Sequence, residues 1–477
     1  MLSTFIFAGA ERGPERLAIV CNGRRLTYGE LACAIEATIQ AFERQGIGGP
    51  GYAVLAVQDL LQFWICSLAL RELGLTTVAA QSAENAAALG LDDVRLVLTD
   101  TDPGWPGLEA LCARNGWPLV FARWDGALAR PVEAGRPRAP AVGEHVLQTS
   151  ATTGAYKKVV MARSFERAFL NTRRVMDRVD EDSRQALFNF GGWTGAGYKS
   201  AGSVWLAGGA IVLDQGDLRR CLTEPGVSHA IMLPEQIAHV VETDAGREIP
   251  FRPGMRLFVG GATPRQALVD MARERLTPLV YNSLGCTEAI TYAETLLERD
   301  EDRRWHTLRL DRDPHVVDDD DNRLPPGEIG RIRVSTRDGP TSYLGDDAAT
   351  AAFFKDGYFY PGDLGLIRED GRMALMGRVT DVINVAGHKV SPAPLEDDLT
   401  ERLGVSGVCL FSRQNDSAEE VAHVVIEAEA PLDTARLTAA LKATLGGFPS
   451  ARVHYMRRLP RNGMGKLMRT DIQRQVR

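Results

Sequence analysis

The residues of this chain best suited to chemistry sit in short runs of hydroxyl, glycine and lysine side chains. The first is Thr149-Ser150-Ala151-Thr152-Thr153-Gly154-Ala155-Tyr156-Lys157-Lys158, which follows Val146-Leu147, read as the end of a strand. Backbone N–H groups, hydroxyls and an ammonium packed into one turn can be presented to a polyphosphate. The spacing is not that of a P-loop, which needs a second glycine directly before Lys-Ser/Thr. Gly260-Gly261-Ala262 comes next, after the apolar run Leu257-Phe258-Val259. Then follow Asn282-Ser283-Leu284-Gly285-Cys286-Thr287-Glu288, Tyr360-Pro361-Gly362-Asp363 and Gly377-Arg378-Val379-Thr380-Asp381. Gly387-His388-Lys389 and Leu459-Pro460-Arg461-Asn462-Gly463-Met464-Gly465-Lys466 complete the set.

In this order the runs resemble the adenylate-forming superfamily: acyl-CoA and aryl-CoA synthetases, adenylation domains of peptide synthetases, and luciferases. The resemblance extends from Leu26-Thr27-Tyr28-Gly29-Glu30-Leu31 to Lys466, nearly the whole chain, and is closest in pattern to acyl-CoA synthetases. It implies a reaction in two halves. A carboxylate attacks the α-phosphate of ATP, giving an acyl-adenylate and pyrophosphate, and a thiol then displaces AMP. An anion attacking a polyanion needs charge neutralisation, which Mg²⁺ and cationic side chains supply.

The same resemblance distributes roles. Thr149, Ser150, Thr152, Thr153, Gly154 and Lys157 match the phosphate loop. Ala151, Tyr156 and Lys158 replace its usual glycine, proline and glycine, and Ala151 removes some of the turn's conformational freedom. Glu288, with Thr287 beside it and Thr152 on the loop, is expected to hold Mg²⁺, a hard cation that needs only one or two protein carboxylates. Gly260, Gly261 and Ala262 match the segment beside adenine, and Asn282 lies in the nucleotide motif. Leu284 replaces a common aromatic neighbour of the base. Asp363, acceptor-only when ionised, would take both ribose hydroxyls, with Arg378 reaching the same region. Lys466, on a flexible stem between glycines, would contact the substrate carboxylate and α-phosphate. Thr380 stands where the family hinge is usually Asp or Lys. Gly387 and Lys389 lie on the segment that faces the site for the thiol step.

One wall of the acid pocket is expected at Phe188-Asn189-Phe190-Gly191-Gly192-Trp193-Thr194-Gly195. Amino-acid-activating relatives carry an aspartate here to pair with the α-ammonium, and this stretch has no acid. An unpaired ammonium would be costly. Phe188, Phe190, Trp193 and Tyr198 therefore suggest an apolar or aromatic acid, with Gly191 and Gly192 making room for a planar group. The expected cofactors and partners are ATP, Mg²⁺, a small carboxylic acid, and CoA or the phosphopantetheine of an acyl carrier protein. A stand-alone enzyme loading a carrier protein is the nearest alternative. A nucleotide-binding pseudoenzyme, motivated by Ala151, Leu284 and Thr380, is a more distant one.

These residues need a scaffold. The 477 residues exceed one ordinary core, and the composition, 44% hydrophobic and 25% charged, is that of a globular protein. A net charge of −7 gives no basic footprint for nucleic acid. Asp318 to Asp321 read as solvated turns. No secretory leader is read, and the apolar stretch Ala53 to Ala80 is broken by Asp59, Gln62, Arg71 and Glu72, so a membrane span is not expected. Seven dispersed cysteines without a CxxC pair fit a reducing compartment, with cytoplasm the default.

Ala53–Val57, Val94–Thr99 and Leu119–Phe121 read as strands and Leu60–Leu73 as a helix, an alternation that predicts α/β with a substantially parallel sheet. Ala127 to Val142 reads as a surface connection. Residues 307–377 read as β-rich, with a hairpin at Leu364–Ile367 and Met373–Met376. A strand at Val421–Ala428 and a helix at Leu437–Leu445 mark a small α/β unit. The family adds a large N-terminal domain, 1–378, of mixed and parallel sheets with helices and a β-rich subdomain. A small mobile α/β C-terminal domain, 379–477, completes it, with the active site between the two.

Overall fold

The computed structural model describes residues 2–476 apart from 103, 127, 129–141, 150–155, 244–247, 386–387, 415–419, 446–450 and 462–465. Ser150, Thr152, Thr153, Gly154 and Gly387 therefore lie outside the described residues, as does most of the connection 127–142.

Apolar runs bounded by polar caps set the layers. Helix Leu60–Glu72 starts where Asp59 Oδ1 accepts from the Gln62 N–H at 2.8 Å, and nearly every residue of it is buried. Helix Tyr28–Arg44 opens on a capping box: Thr27 Oγ1 accepts from Glu30 N at 3.1 Å and Glu30 Oε2 from Thr27 N at 2.8 Å. An apolar strand buried on both faces calls for helices on both sides, and this is how the first two sheets are built.

Among the described residues one sheet has eight strands, in the spatial order Ile290–Leu296, Leu279–Cys286, Arg256–Val259, His229–Met232, Arg184–Phe188, Ala210–Asp214, Leu17–Cys21, Arg24–Thr27. Its interior pairs are parallel and its two outermost pairs antiparallel. A second sheet of six runs Leu119–Phe121, Val94–Thr99, Tyr52–Ala56, Thr76–Ala79, His145–Thr149, Lys157–Met161, parallel except for the last pair. The parallel α/β reading is borne out. Residues 315–378 form the β-rich part, an antiparallel sheet that contains the expected hairpin as Asp363–Ile367 and Met373–Arg378. Glu420–Glu427 and Thr434–Leu445 are the strand and helix read near the C-terminus.

The Asp318–Asp321 run is only in part a solvated turn. Asp321 is half-buried and accepts from Arg331 at 3.0 Å, from Tyr360 at 2.9 Å and from Lys355. Its charge ties the turn to the β-rich sheet.

Three of the hydrophobic clusters draw all their buried members from Leu2 to Met373, and two draw theirs from Ile383 to Val476. The segments meet through ion pairs: Arg303 to Glu401 at 2.6 Å, and Arg458 and Arg461 to Glu235, each at 3.3 Å. No described helix is long and apolar enough to cross a membrane.

Candidate active site

Parallel strands deliver their C-terminal ends, and the loops after them, to one edge of a sheet. Strand Arg256–Val259 ends at Gly260-Gly261-Ala262, where Gly261 takes φ +85°, a left-handed conformation suited to glycine. Its neighbour Leu279–Cys286 carries Asn282 and Leu284 and leads into Thr287 and Glu288. A Cβ at Gly285 would sit 2.2 Å from the Ile290 carbonyl, so glycine lets the returning strand close on the motif. Ile290 itself has φ +59°, a strained setting for a β-branched residue, directly after the Glu288 turn.

Glu288 is 5% exposed and its Oε1 accepts from the Tyr343 hydroxyl at 2.6 Å. It is not the solvated turn residue that an isolated glutamate would suggest. Lys157 begins the strand after the phosphate motif, opposite Thr149 in the ladder. Its ammonium lies 3.2 Å from the Phe353 ring centroid and 5.2 Å from that of Tyr343. Burial lowers its pKa, Arg378 adds to the shift, and Glu288 and Asp346 oppose it.

Asp363 and Arg378 face each other across the hairpin, with Nε to Oδ1 at 2.8 Å. Arg378 Nη1 also donates to the Pro361 carbonyl at 2.8 Å, fixing the fork. Burial raises the Asp363 pKa against the pull of Arg378 and Lys466. Lys466 thus stands within electrostatic reach of Asp363. Desolvation lowers its own pKa, Arg378 adds to this, and Asp363, Cys286 and Glu288 oppose it, although the residue keeps substantial solvent exposure. Residues from 157 to 466 therefore converge on one place: Lys157, Glu288, Asp363, Arg378 and Lys466.

The sequence alone does not announce a family at any one of these positions; their convergence does, and the comparison with known proteins agrees. The model of the AMP-binding enzyme family matches residues 6–344. The chain belongs to the AMP-binding enzyme family. It is 25% identical to the 2-succinylbenzoate–CoA ligase of Bacillus licheniformis over 97% of this chain and 98% of that one. It is 24% identical to the fatty acid–[acyl-carrier-protein] ligase ScoC of Streptomyces coeruleorubidus, over 97% and 94%. The o-succinylbenzoate coenzyme A synthetase of Bacillus subtilis, solved with ATP and magnesium ion, superposes with a TM-score of 0.82 at 21% identity, over 98% of this chain and 99% of that one. The adenylate-forming resemblance and the fold class read from the sequence both hold.

For a member of this family, the acid-pocket stretch needs several corrections. Phe188 packs with the cluster on the opposite face of the eight-stranded sheet from Phe190 and Trp193, because strand alternation sends it there. Phe190 is 3% exposed and belongs to the core. Tyr198 is 1% exposed, donates to Glu166 and accepts from Arg71 Nη1 at 2.8 Å, so its hydroxyl is spent on a buried ion pair. Gly191 and Gly192 leave room first for side chains of this chain. A Cβ there would meet the Trp193 ring at 2.0 Å and the Phe63 ring at 2.2 Å, so both glycines admit rings of this chain. Asn189 is exposed at φ +58°, and Trp193 is half-buried and edge-on to Phe63 with centroids 5.8 Å apart.

Two residues at the centre carry no mark in the motif reading. Tyr343, the partner of Glu288, lies between Thr341-Ser342 and Gly345, with no periodic pattern to single it out. Lys199 is the one charged residue of the helix Gly195–Ala207, which is the signal that could have found it. It is 5% exposed, and its ammonium donates to the Cys286 carbonyl at 2.8 Å, behind the Glu288 turn. Burial lowers its pKa to about 8. Gly195, at the start of the same helix, packs so close that a Cβ would stand 2.5 Å from Thr287 Oγ1. Helix, turn and Tyr343 together clamp Glu288. The Gly192 carbonyl is held as well: it can only accept, so His145 Nε2 donates to it at 2.9 Å, and Nδ1 accepts from Thr77 Oγ1 at 2.8 Å.

Thr380 Oγ1 donates to Asp381 at 3.1 Å, and Asp381 lies 3.7 Å from Arg469. Lys389 lies in the short ladder opposite Asn384.

Proposed function

We propose that this enzyme activates a carboxylic acid with ATP, forming an acyl-adenylate, and then transfers the acyl group to a thiol, most readily that of CoA. The observation that carries the reading is the convergence of Lys157, Glu288, Asp363, Arg378 and Lys466. In this reading Asp363 accepts the ribose diol while Arg378 fixes its carboxylate. Lys157 and the hydroxyls of 149–153 receive the phosphates. Lys466 neutralises charge where the acid's carboxylate meets the α-phosphate.

The residues present fit Mg²⁺. Glu288 is a buried carboxylate with one oxygen engaged by Tyr343, and its second oxygen suits a cation that takes its remaining ligands from phosphate and water. Bound there with Thr152, the ion would supply charge neutralisation to the phosphates.

We further assign residues 379–477 to a unit that rotates between the two half-reactions. Each ion pair joining it to the rest has at least one exposed partner, and such pairs hold weakly. The arrangement described here, with Lys466 at Asp363 and Glu288, suits the adenylation half. The acid is assigned to the apolar or aryl class, since residues 188–195 contain no carboxylate to pair an ammonium and Trp193 offers an aromatic wall.

Pyrophosphate exchange with benzoate-like, cinnamate-like, fatty and amino acids tests the reading. Exchange with an aryl or fatty acid supports it, no exchange with any acid leaves a nucleotide-binding protein, and a preference for an α-amino acid overturns the pocket. A carrier-protein acceptor is the second reading, favoured by the 24% identity to ScoC. AMP release with CoA against acyl carrier protein decides between them. Cytoplasmic residence remains part of the proposal, resting on seven dispersed cysteines, free and mostly buried.

A further inference from the structure

A cavity of about 160 Å³ opens at the C-terminal end of helix Glu166–Asp177, on the face of the eight-stranded sheet that this helix covers. Arg178, Arg256 and Arg309 face it together with Glu294, beside Phe258 and Tyr281, whose rings stack at 5.4 Å. Arg309 donates to Asp311 at 3.1 Å. The guanidinium groups of Arg178 and Arg256 have no hydrogen-bond or ion-pair partner among the described residues, and the Arg256 Nε is buried from water without one. Burying the Arg256 Nε without a partner is expensive, and an anion between the two forks would supply its acceptor, while the exposed Arg178 guanidinium is reachable from solvent.

The acids nearby do not provide it. Asp177 is held by Arg173 at 2.6 Å. Glu294 accepts from Ser283 at 3.1 Å, and burial, with Asp177, raises its pKa, so it is already engaged and disfavoured as a counter-charge. Arg309 thus has Asp311 and Asp177 has Arg173, which leaves the forks of Arg178 and Arg256 without a bonded acid. Their planar forks match the oxygens of a carboxylate or phosphate. A layer of buried polar side chains separates the cavity from the adenylate centre: Arg173 bonds Asp177 and, at 3.1 Å, Thr291, while Lys199 is turned to Cys286.

We propose that this cavity binds a small oxyanion, carboxylate or phosphate, at a site separate from the adenylate centre. The proposal is independent of the ligase reading, because binding is measured without ATP or acid turnover. Crystals soaked in selenate should show an anomalous selenium peak between Arg178 and Arg256. Displacement of that peak by inorganic phosphate assigns the phosphate class, and displacement by benzoate the carboxylate class. In solution, calorimetry with whichever anion displaces selenate should show binding weakened about tenfold or more in the Arg178→Gln/Arg256→Gln variant. ATP affinity should stay within about twofold, since neither residue belongs to the nucleotide site. If the double variant misfolds, Arg178→Gln alone, at an exposed position, should still weaken the anion. A selenate soak with no peak in the cavity, or anion binding unchanged in the variants, overturns the proposal.

Discussion

Glu288 and Lys466 meet at one centre, yet the two are held in opposite ways. Glu288 is buried, bonded to Tyr343, and backed by Lys199 on the Cys286 carbonyl and by Gly195 against Thr287. Lys466 arrives on a segment tied to the rest by the packing of helix Pro392–Leu403 on strand Met373–Arg378 and by ion pairs, of which Arg458 to Glu235 has side chains 77% and 47% exposed. A carboxylate meant to position a cation gains from being fixed before the reaction, because orientation then costs nothing at the transition state. A lysine needed in only one half-reaction gains from being removable. The contrast is the physical content of the two-step reading, and it can be broken from either side.

The largest effect is expected on the delivered side. Lys466→Ala should reduce acyl-adenylate formation by about a hundredfold or more, the loss of roughly 3 kcal/mol from an aligned cation. Thioester formation from supplied acyl-adenylate should fall far less. Pyrophosphate exchange and single-turnover thioester assays check this, and equal losses in both would erase the division of labour.

On the fixed side, Asp363→Ala should weaken ATP binding by about 2–4 kcal/mol, since two charge-assisted hydrogen bonds to the ribose are at stake. Calorimetry on a folded variant reads it directly. Unchanged ATP affinity would remove Asp363 from the nucleotide site.

How much of this contrast was legible depends on the range of the contact. Asp363 and Arg378 were visible as motif residues, and their ladder pairing extends the hairpin read at Leu364–Ile367 and Met373–Met376. The burial of Glu288 was not visible, because its partner Tyr343 is 55 residues away and its brace Lys199 stands on another helix. Burial also sorts the aromatic stretch in a way spacing does not show. Phe188 and Phe190 looked like one wall in the sequence, but alternation along Arg184–Phe188 sends Phe188 to the far face while Phe190 joins the core. Tyr198 was an aromatic by composition and a hydrogen-bonding partner of Arg71 and Glu166 by position. Sequence spacing reports which residues share an element, whereas burial and long-range pairing decide what they do.

The fixed half should also carry a signature in acid. Burial and the neighbouring Arg71 lower the His145 pKa from 6.5 to about 3, so the folded state keeps this ring neutral while the unfolded chain takes up a proton first. The stabilisation is complete above about pH 6.5 and is lost as pH falls toward 3. At pH 5 the loss from His145 alone should be about 2 kcal/mol. Thermal unfolding of wild type against His145→Gln, whose amide can keep the bond to the Gly192 carbonyl, should show a shallower fall in the variant between pH 6.5 and 5. Parallel curves would remove His145 from the acid response of the fixed half.

The smallest effect tests the weakness of the other half's attachment. Glu235→Ala removes the shared partner of the exposed Arg458 and the half-buried Arg461, a contact between the C-terminal segment and the rest in which Glu235 itself is 47% exposed. Exposed pairs contribute roughly 0–1 kcal/mol, so adenylation should change by no more than about fivefold, and the melting temperature hardly at all. The direction is informative. Loosening the contact should lower the fraction of molecules with Lys466 at the site, slowing pyrophosphate exchange slightly while leaving thioester formation from supplied acyl-adenylate equal or faster. A drop in exchange comparable to that of Lys466→Ala would mean that the segment is held by Glu235 far more firmly than exposed ion pairs allow, and the contrast between a fixed carboxylate and a delivered lysine would collapse.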